Sequence, residues 1–116
     1  MKNFLAIFTG SPEAMDAWKS LDAAQREAKE KAGMEAWKAW VEQHHGSIVD
    51  HGAPLGKTKR TSAGGIADIR NNMAAYTVVR AESHDAAARL FEQHPHFTIF
   101  PGDAVEIMEC LPLPEM

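Results

Sequence analysis

The chain has 116 residues, 12 basic and 16 acidic side chains for a formal charge of −4, and 45% hydrophobic content. That is the length of one domain, burying roughly 65% of the surface its unfolded form exposes, so the core needs neither disulfides nor a structural metal. The composition excludes disordered, collagen-like and low-complexity chains, and the one cysteine, Cys110, has no partner for a bridge within the chain and suits a reducing compartment.

The opening MKNFLAIFTG holds an apolar run only from Phe4 to Phe8, too short for a secretory leader and far too short for a membrane span. A soluble cytoplasmic protein with no membrane partner is expected. The same run alternates Phe4, Ala6 and Phe8 with Leu5 and Ile7, both sides apolar, and so predicts a strand buried on both faces. Gly10 stops it. Ser11, Pro12 and Glu13 then open a helix, through a capping hydroxyl, a proline suited to the first helical position and a carboxylate at the positive end of the dipole. Met15, Trp18, Leu21, Ala24 and Ala28 form its apolar stripe. Gly33 predicts a kink, after which the stripe resumes in a new phase at Trp37, Trp40, Val41 and His44. Gly46 is the expected helix stop.

Residues 47–53 (SIVDHGA) read as a strand with Ile48, Asp50 and Gly52 on one face and Val49 and His51 on the other. Pro54 and Gly56 bend the chain, and residues 57–65 with 68–72 predict an exposed, charged hairpin or arm. A strand follows over 74–81 (AAYTVVRA). Ser83 caps a helix over 84–93 that presents Ala87, Leu90 and Phe91, closed by Pro95. The last strand spans 104–110 (AVEIMEC), and Pro112 and Pro114 end the structured chain.

The order strand, helix, strand, strand, helix, strand predicts an α+β, ferredoxin-like β-α-β-β-α-β domain over 1–116: a four-stranded antiparallel sheet with helices on one face. If Leu5, Ile7, Thr77 and Val79 pack under the helices, then Phe4, Phe8, Tyr76 and Val78 line the open face. Such an apolar surface calls for a partner, and a second copy packed sheet to sheet is the economical one, giving a homodimeric α+β barrel with a cleft between subunits.

Gly46, Gly52 and Leu55, then YTVVRAESHDAA, the His94-Pro95 step, Gly102 and VEIME resemble in arrangement the YCII-related family of small dimeric α+β barrel proteins. The resemblance implies a ferredoxin-like fold, a dimer and a cleft suspected of enzymatic activity, without one established reaction. It also implies a catalytic pair: a histidine in the long helix and an aspartate just before a proline after the second helix. This sequence departs from both. His94 stands at the aspartate's place, and Glu35 lies close to the histidine's.

His94 and His96 flank Pro95, so in an extended chain both rings point to one side; loop capping, acid/base or ligand-binding work, and a metal for which no third ligand is placed are the readings weighed. His44 and His45 are adjacent on a helix and cannot both join His51 in a metal site, and no metal is expected. Asp50 is a mid-strand carboxylate, either solvated or a general base of the cleft. Trp37 and Trp40 read as core, with Trp37 a candidate to line a pocket. Lys57, Lys59 and Arg60 with Arg70 read as a solvated arm, with one arginine for an anion as the alternative. The cluster lacks the aromatics and basic total of a nucleic-acid surface, and Ala63, Gly64 and Gly65 do not form a phosphate loop, so neither nucleic acid nor cofactor is expected. Two functions follow. One is a small enzyme with His94, Glu35 and Asp50 as acid/base candidates and His96, Trp37 and Tyr76 contacting a small organic ligand. The other is a non-catalytic ligand-binding or accessory interaction module. In the first, His94 paired with a carboxylate has a raised pKa and little part in the core.

Overall fold

The computed structural model describes residues 1–114, so Glu115 and Met116, included in the expected 1–116 domain, lie outside the described residues. The first strand, β1 (Lys2–Thr9), is central to a four-stranded sheet. It pairs antiparallel with β5 (Met73–Ala81) on one side and with β6 (Ala104–Glu109) on the other, while β2 (Ile48–Pro54) pairs antiparallel with the far edge of β5. The order β2-β5-β1-β6 is that of the ferredoxin-like fold. Between β2 and β5 the chain makes a separate two-stranded hairpin, β3 (Thr58–Ser62) with β4 (Gly65–Ile69), closed at Gly65 with φ +106°. This is the expected arm.

Helices cover one face. Phe4, Ala6 and Phe8 are fully buried there with Val79 and Thr77, against Trp40, Ala87 and Phe91. Leu5 and Ile7, expected under the helices, instead share the other face with Tyr76 and Val78, all four half-buried. The correction has a simple cause. A strand apolar on both sides carries no signal for which side faces in, and packing decides in favour of the larger rings: Phe8 lies 5.2 Å from Trp37 and 5.9 Å from Phe91, ring centre to ring centre. Thr77 tolerates burial because its hydroxyl donates to the His51 carbonyl at 3.1 Å.

The long helical region breaks earlier than expected. α1 (Pro12–Lys19) starts on Ser11, whose hydroxyl accepts the Ala14 amide at 3.1 Å. α2 (Ala23–Gln43) starts afresh at Asp22 through a capping box, Asp22 accepting the Gln25 amide at 2.8 Å and the Gln25 side chain accepting the Asp22 amide at 3.3 Å. Gly33, expected to kink the helix, lies inside it unbroken and buried. A Cβ there would stand 2.5 Å from the Phe100 ring, so this glycine makes room for a side chain and does not interrupt the helix. The second expected helix is also shorter: α3 (His84–Arg89) ends four residues before Gln93, and Pro95, expected as a terminator, opens α4 (Pro95–Thr98). No described helix is long and apolar enough to cross a membrane.

Candidate functional site

Between α3 and α4 the chain turns through Gln93, the one non-glycine residue with positive φ among those described, at 58°. This turn sends His94 inward. Its side chain is fully buried, and its ring centre lies 4.4 Å from that of Trp37 and 4.7 Å from that of Trp40, both edge to face, and 5.1 Å from Phe8. The Trp40 indole is held in turn, donating to the Leu90 carbonyl at 2.7 Å.

His94 caps α4: its Nδ1 accepts the His96 amide at 3.0 Å. The proton of the neutral ring must therefore sit on Nε2, which is buried and has no hydrogen-bond partner. Desolvation, aided by His96 and then His44, lowers the His94 pKa from 6.5 to about 3. The expectation of a carboxylate-raised pKa is thus reversed, and so is that of a small part in the core. Helix α2 presents Trp37 to His94. Glu35, two residues earlier and so on a different face of the helix, is exposed.

His96 is 8% exposed and also packs against Phe8, at 5.2 Å between ring centres, but it has a polar partner that His94 lacks. Its Nε2 lies 2.7 Å from the Thr9 carbonyl, and since a carbonyl only accepts, Nε2 carries the proton and Nδ1 keeps its lone pair. The same carbonyl accepts the Asp103 amide at 2.9 Å, fixing the end of β1 against the start of β6. Gly102 completes the seat, because any Cβ there would collide with the His96 ring. Burial lowers the His96 pKa, opposed by the hydrogen bond to Thr9 and then by the charge of Asp103. Asp103 itself accepts the Ser11 hydroxyl at 3.0 Å.

The cleft at this end of the sheet, about 500 Å³, is lined by His96, Ser11, Lys19, Arg70, Met73 and Phe100 among others. A hydrogen bond of 3.0 Å from the Gly10 amide to the Asn72 carbonyl ties its two walls together. The remaining sequence candidates lie elsewhere. Asp50 is exposed on β2 opposite Val78, its carboxylate accepting the Gly52 amide at 2.9 Å, and Tyr76 is half-buried on the open face opposite Ile7. One chain therefore brings together His94, His96 and Trp37, and not Glu35, Asp50 or Tyr76 with them. Sequence reasoning missed Asp103, Lys19 and Phe100. The Pro101-Gly102-Asp103 turn before the last strand was the available signal for Asp103.

No protein-family model matches the chain, and no curated protein matches it. Among solved structures it is similar to the 5-chloro-2-hydroxyhydroquinone dehydrochlorinase of Burkholderia phenoliruptrix AC1100, in complex with 2,5-dihydroxybenzoquinone. The two share 19% sequence identity over 90% of this chain and 89% of that chain, with a TM-score of 0.51. At that identity the likeness is one of fold, and the fold of this chain is α+β and ferredoxin-like.

Proposed function

We propose that the protein is a YCII-related, homodimeric cytoplasmic domain that binds a small organic molecule in the cleft beside His96 and moves a proton on it through Nδ1 of that residue. The observation that carries this reading is the fixed tautomer of His96: with Nε2–H held on the Thr9 carbonyl, the ring keeps a basic lone pair, and His96 is among the residues lining the cleft. The lowered pKa supports it, because the ring is neutral and able to accept a proton near pH 7. Asp103 supplies a carboxylate that favours the imidazolium once formed. The ligand named for the structural neighbour, 2,5-dihydroxybenzoquinone, is of the size class the cleft accommodates. In this reading His94 supports the site from beneath, and Asp50 and Tyr76 belong to the open face where the second copy packs.

His96→Gln tests it. Glutamine Nε2 retains a donor for the Thr9 carbonyl and removes the base at Nδ1. With 2,5-dihydroxybenzoquinone as probe, solvent deuterium exchange into its ring positions, followed by proton NMR, should be accelerated by the wild type and not by the variant, while binding changes by less than about fivefold. Equal acceleration by both proteins overturns the role of His96. Binding without acceleration by either favours the second reading, a non-catalytic binding module, for which the absence of Glu35 and Asp50 from the histidine pair already speaks.

A further inference from the structure

The cleft carries cations that the fold does not neutralise. Lys19 lies in the last turn of α1 and Arg70 immediately follows β4, and both line it. Among the described residues the ion pairs are Lys2 with Glu109 and Lys59 with Asp68, so neither Lys19 nor Arg70 has a carboxylate within pairing distance, although Asp16 lines the same cleft. A cation in the last turn of a helix is favoured by the dipole, which accounts for Lys19 in part but not for Arg70. The backbone at Arg70 is held in place. Asn71 next to it donates to the Thr58 hydroxyl at 3.2 Å and accepts the Met73 amide at 2.9 Å, and Asn72 accepts the Gly10 amide from the opposite wall. Met15, Met73 and Phe100 give the same cleft an apolar lining.

We infer that the ligand of this cleft is an organic oxyanion, a small apolar body with a carboxylate or ionised enol, whose charge lies between Lys19 and Arg70 while its other end reaches His96. The inference rests on the proposed binding at the His96 cleft and adds the charge and orientation of what binds there. Two unpaired cations on a chain of net charge −4 create a local positive field that attracts an anion and leaves a neutral isostere with apolar contact alone.

Benzoate and its neutral isostere benzamide separate the possibilities, titrated into the full chain and followed by the backbone amide resonances of Gly10, Ser11, Asn72 and Gly102. Benzoate should bind at least about tenfold more tightly than benzamide and lose that advantage as ionic strength rises from about 0.02 to 0.5 M. Lys19→Gln and Arg70→Gln should each weaken benzoate by about five- to tenfold and leave benzamide unchanged; both side chains are exposed, so the fold is not at risk. Equal affinity for the two probes, or indifference of benzoate to both substitutions, overturns the oxyanion assignment while leaving the cleft as a binding site. No shift at the cleft amides with either probe overturns the proposed binding site and this inference with it.

Discussion

Lowering the pH from 7.5 to 5 should destabilise the protein through His94 before most carboxylates have been protonated. The folded ring has its pKa lowered to about 3, against 6.5 for an unperturbed imidazole. Between those values the unfolded chain binds the proton and the folded chain does not, so the contribution of His94 is complete above pH 6.5 and is lost as the pH falls toward 3. At about 1.4 kcal/mol per tenfold change in proton affinity, the full loss is about 5 kcal/mol, and the part reached at pH 5 is about 2 kcal/mol. His96, also lowered, adds to the slope in the same direction. Urea unfolding followed by tryptophan fluorescence at fixed protein concentration, with His94→Phe as the reference, isolates the His94 share. The variant keeps a ring among Phe8, Trp37 and Trp40, and its loss of the acceptor for the His96 amide is an offset that does not depend on pH. Parallel losses in the two proteins between pH 7.5 and 5 would refute the reasoning. So would a His94 ring resonance in the folded wild type that titrates near 6.5, a measurement that holds even if the variant fails to fold.

Three further outcomes are expected. Leu5→Glu puts a charge on the open face opposite Val78 and Met108; it should give a folded monomer by sedimentation at micromolar concentration, whereas Phe8→Glu, at a fully buried position, should unfold the chain. Gly102→Ala should displace the His96 ring, break its bond to the Thr9 carbonyl and cost about 1–3 kcal/mol, which the His96 ring nitrogen shifts and urea unfolding would record. Gly33→Ala should destabilise the wild type by driving a Cβ against the Phe100 ring, but stabilise a Phe100→Ala background by up to about 1 kcal/mol of helix propensity, the sign change being read by urea unfolding.

Much of the architecture was legible because strand and helix periods differ and because the capping signals are local. Ser11 and Ser83 cap as expected, and the hairpin follows its turn residues. What escaped was long-range. The helix break at Ser20 to Asp22 was hidden behind a stripe that runs through Leu21, although the aspartate and glutamine of the capping box stand in the sequence. Gly33 was misread because helix propensity counts the glycine's cost and cannot see the Phe100 ring that requires it. At the site the spacing of His94 and His96 drew attention to both. Both rings do meet Phe8 and Trp37, although Pro95 opens a helical turn where an extended chain was assumed.

Burial lowers the pKa of both histidines, but only His96 has groups that oppose the shift. Both imidazoles pack against Phe8 and Trp37, but His94 is fully buried and also meets Trp40, whereas His96 reaches the end of β1 and lines the cleft. The His96 amide is spent on Nδ1 of His94 and the His96 Nε2–H on the Thr9 carbonyl, so each ring is fixed in the Nε2–H tautomer by a bond that carries no net charge. For His94 the remaining N–H faces aromatic surface, where ionisation finds no compensating partner. For His96 the free position is the basic Nδ1, and the charge of Asp103 favours the cation. Under the proposed function, a proton arriving from the cleft would be accepted by His96 and not passed inward to His94. Separation of two like groups by their surroundings is what acid–base work requires, and the proposed role of His96 draws on it: the inner ring is buried where it stays neutral.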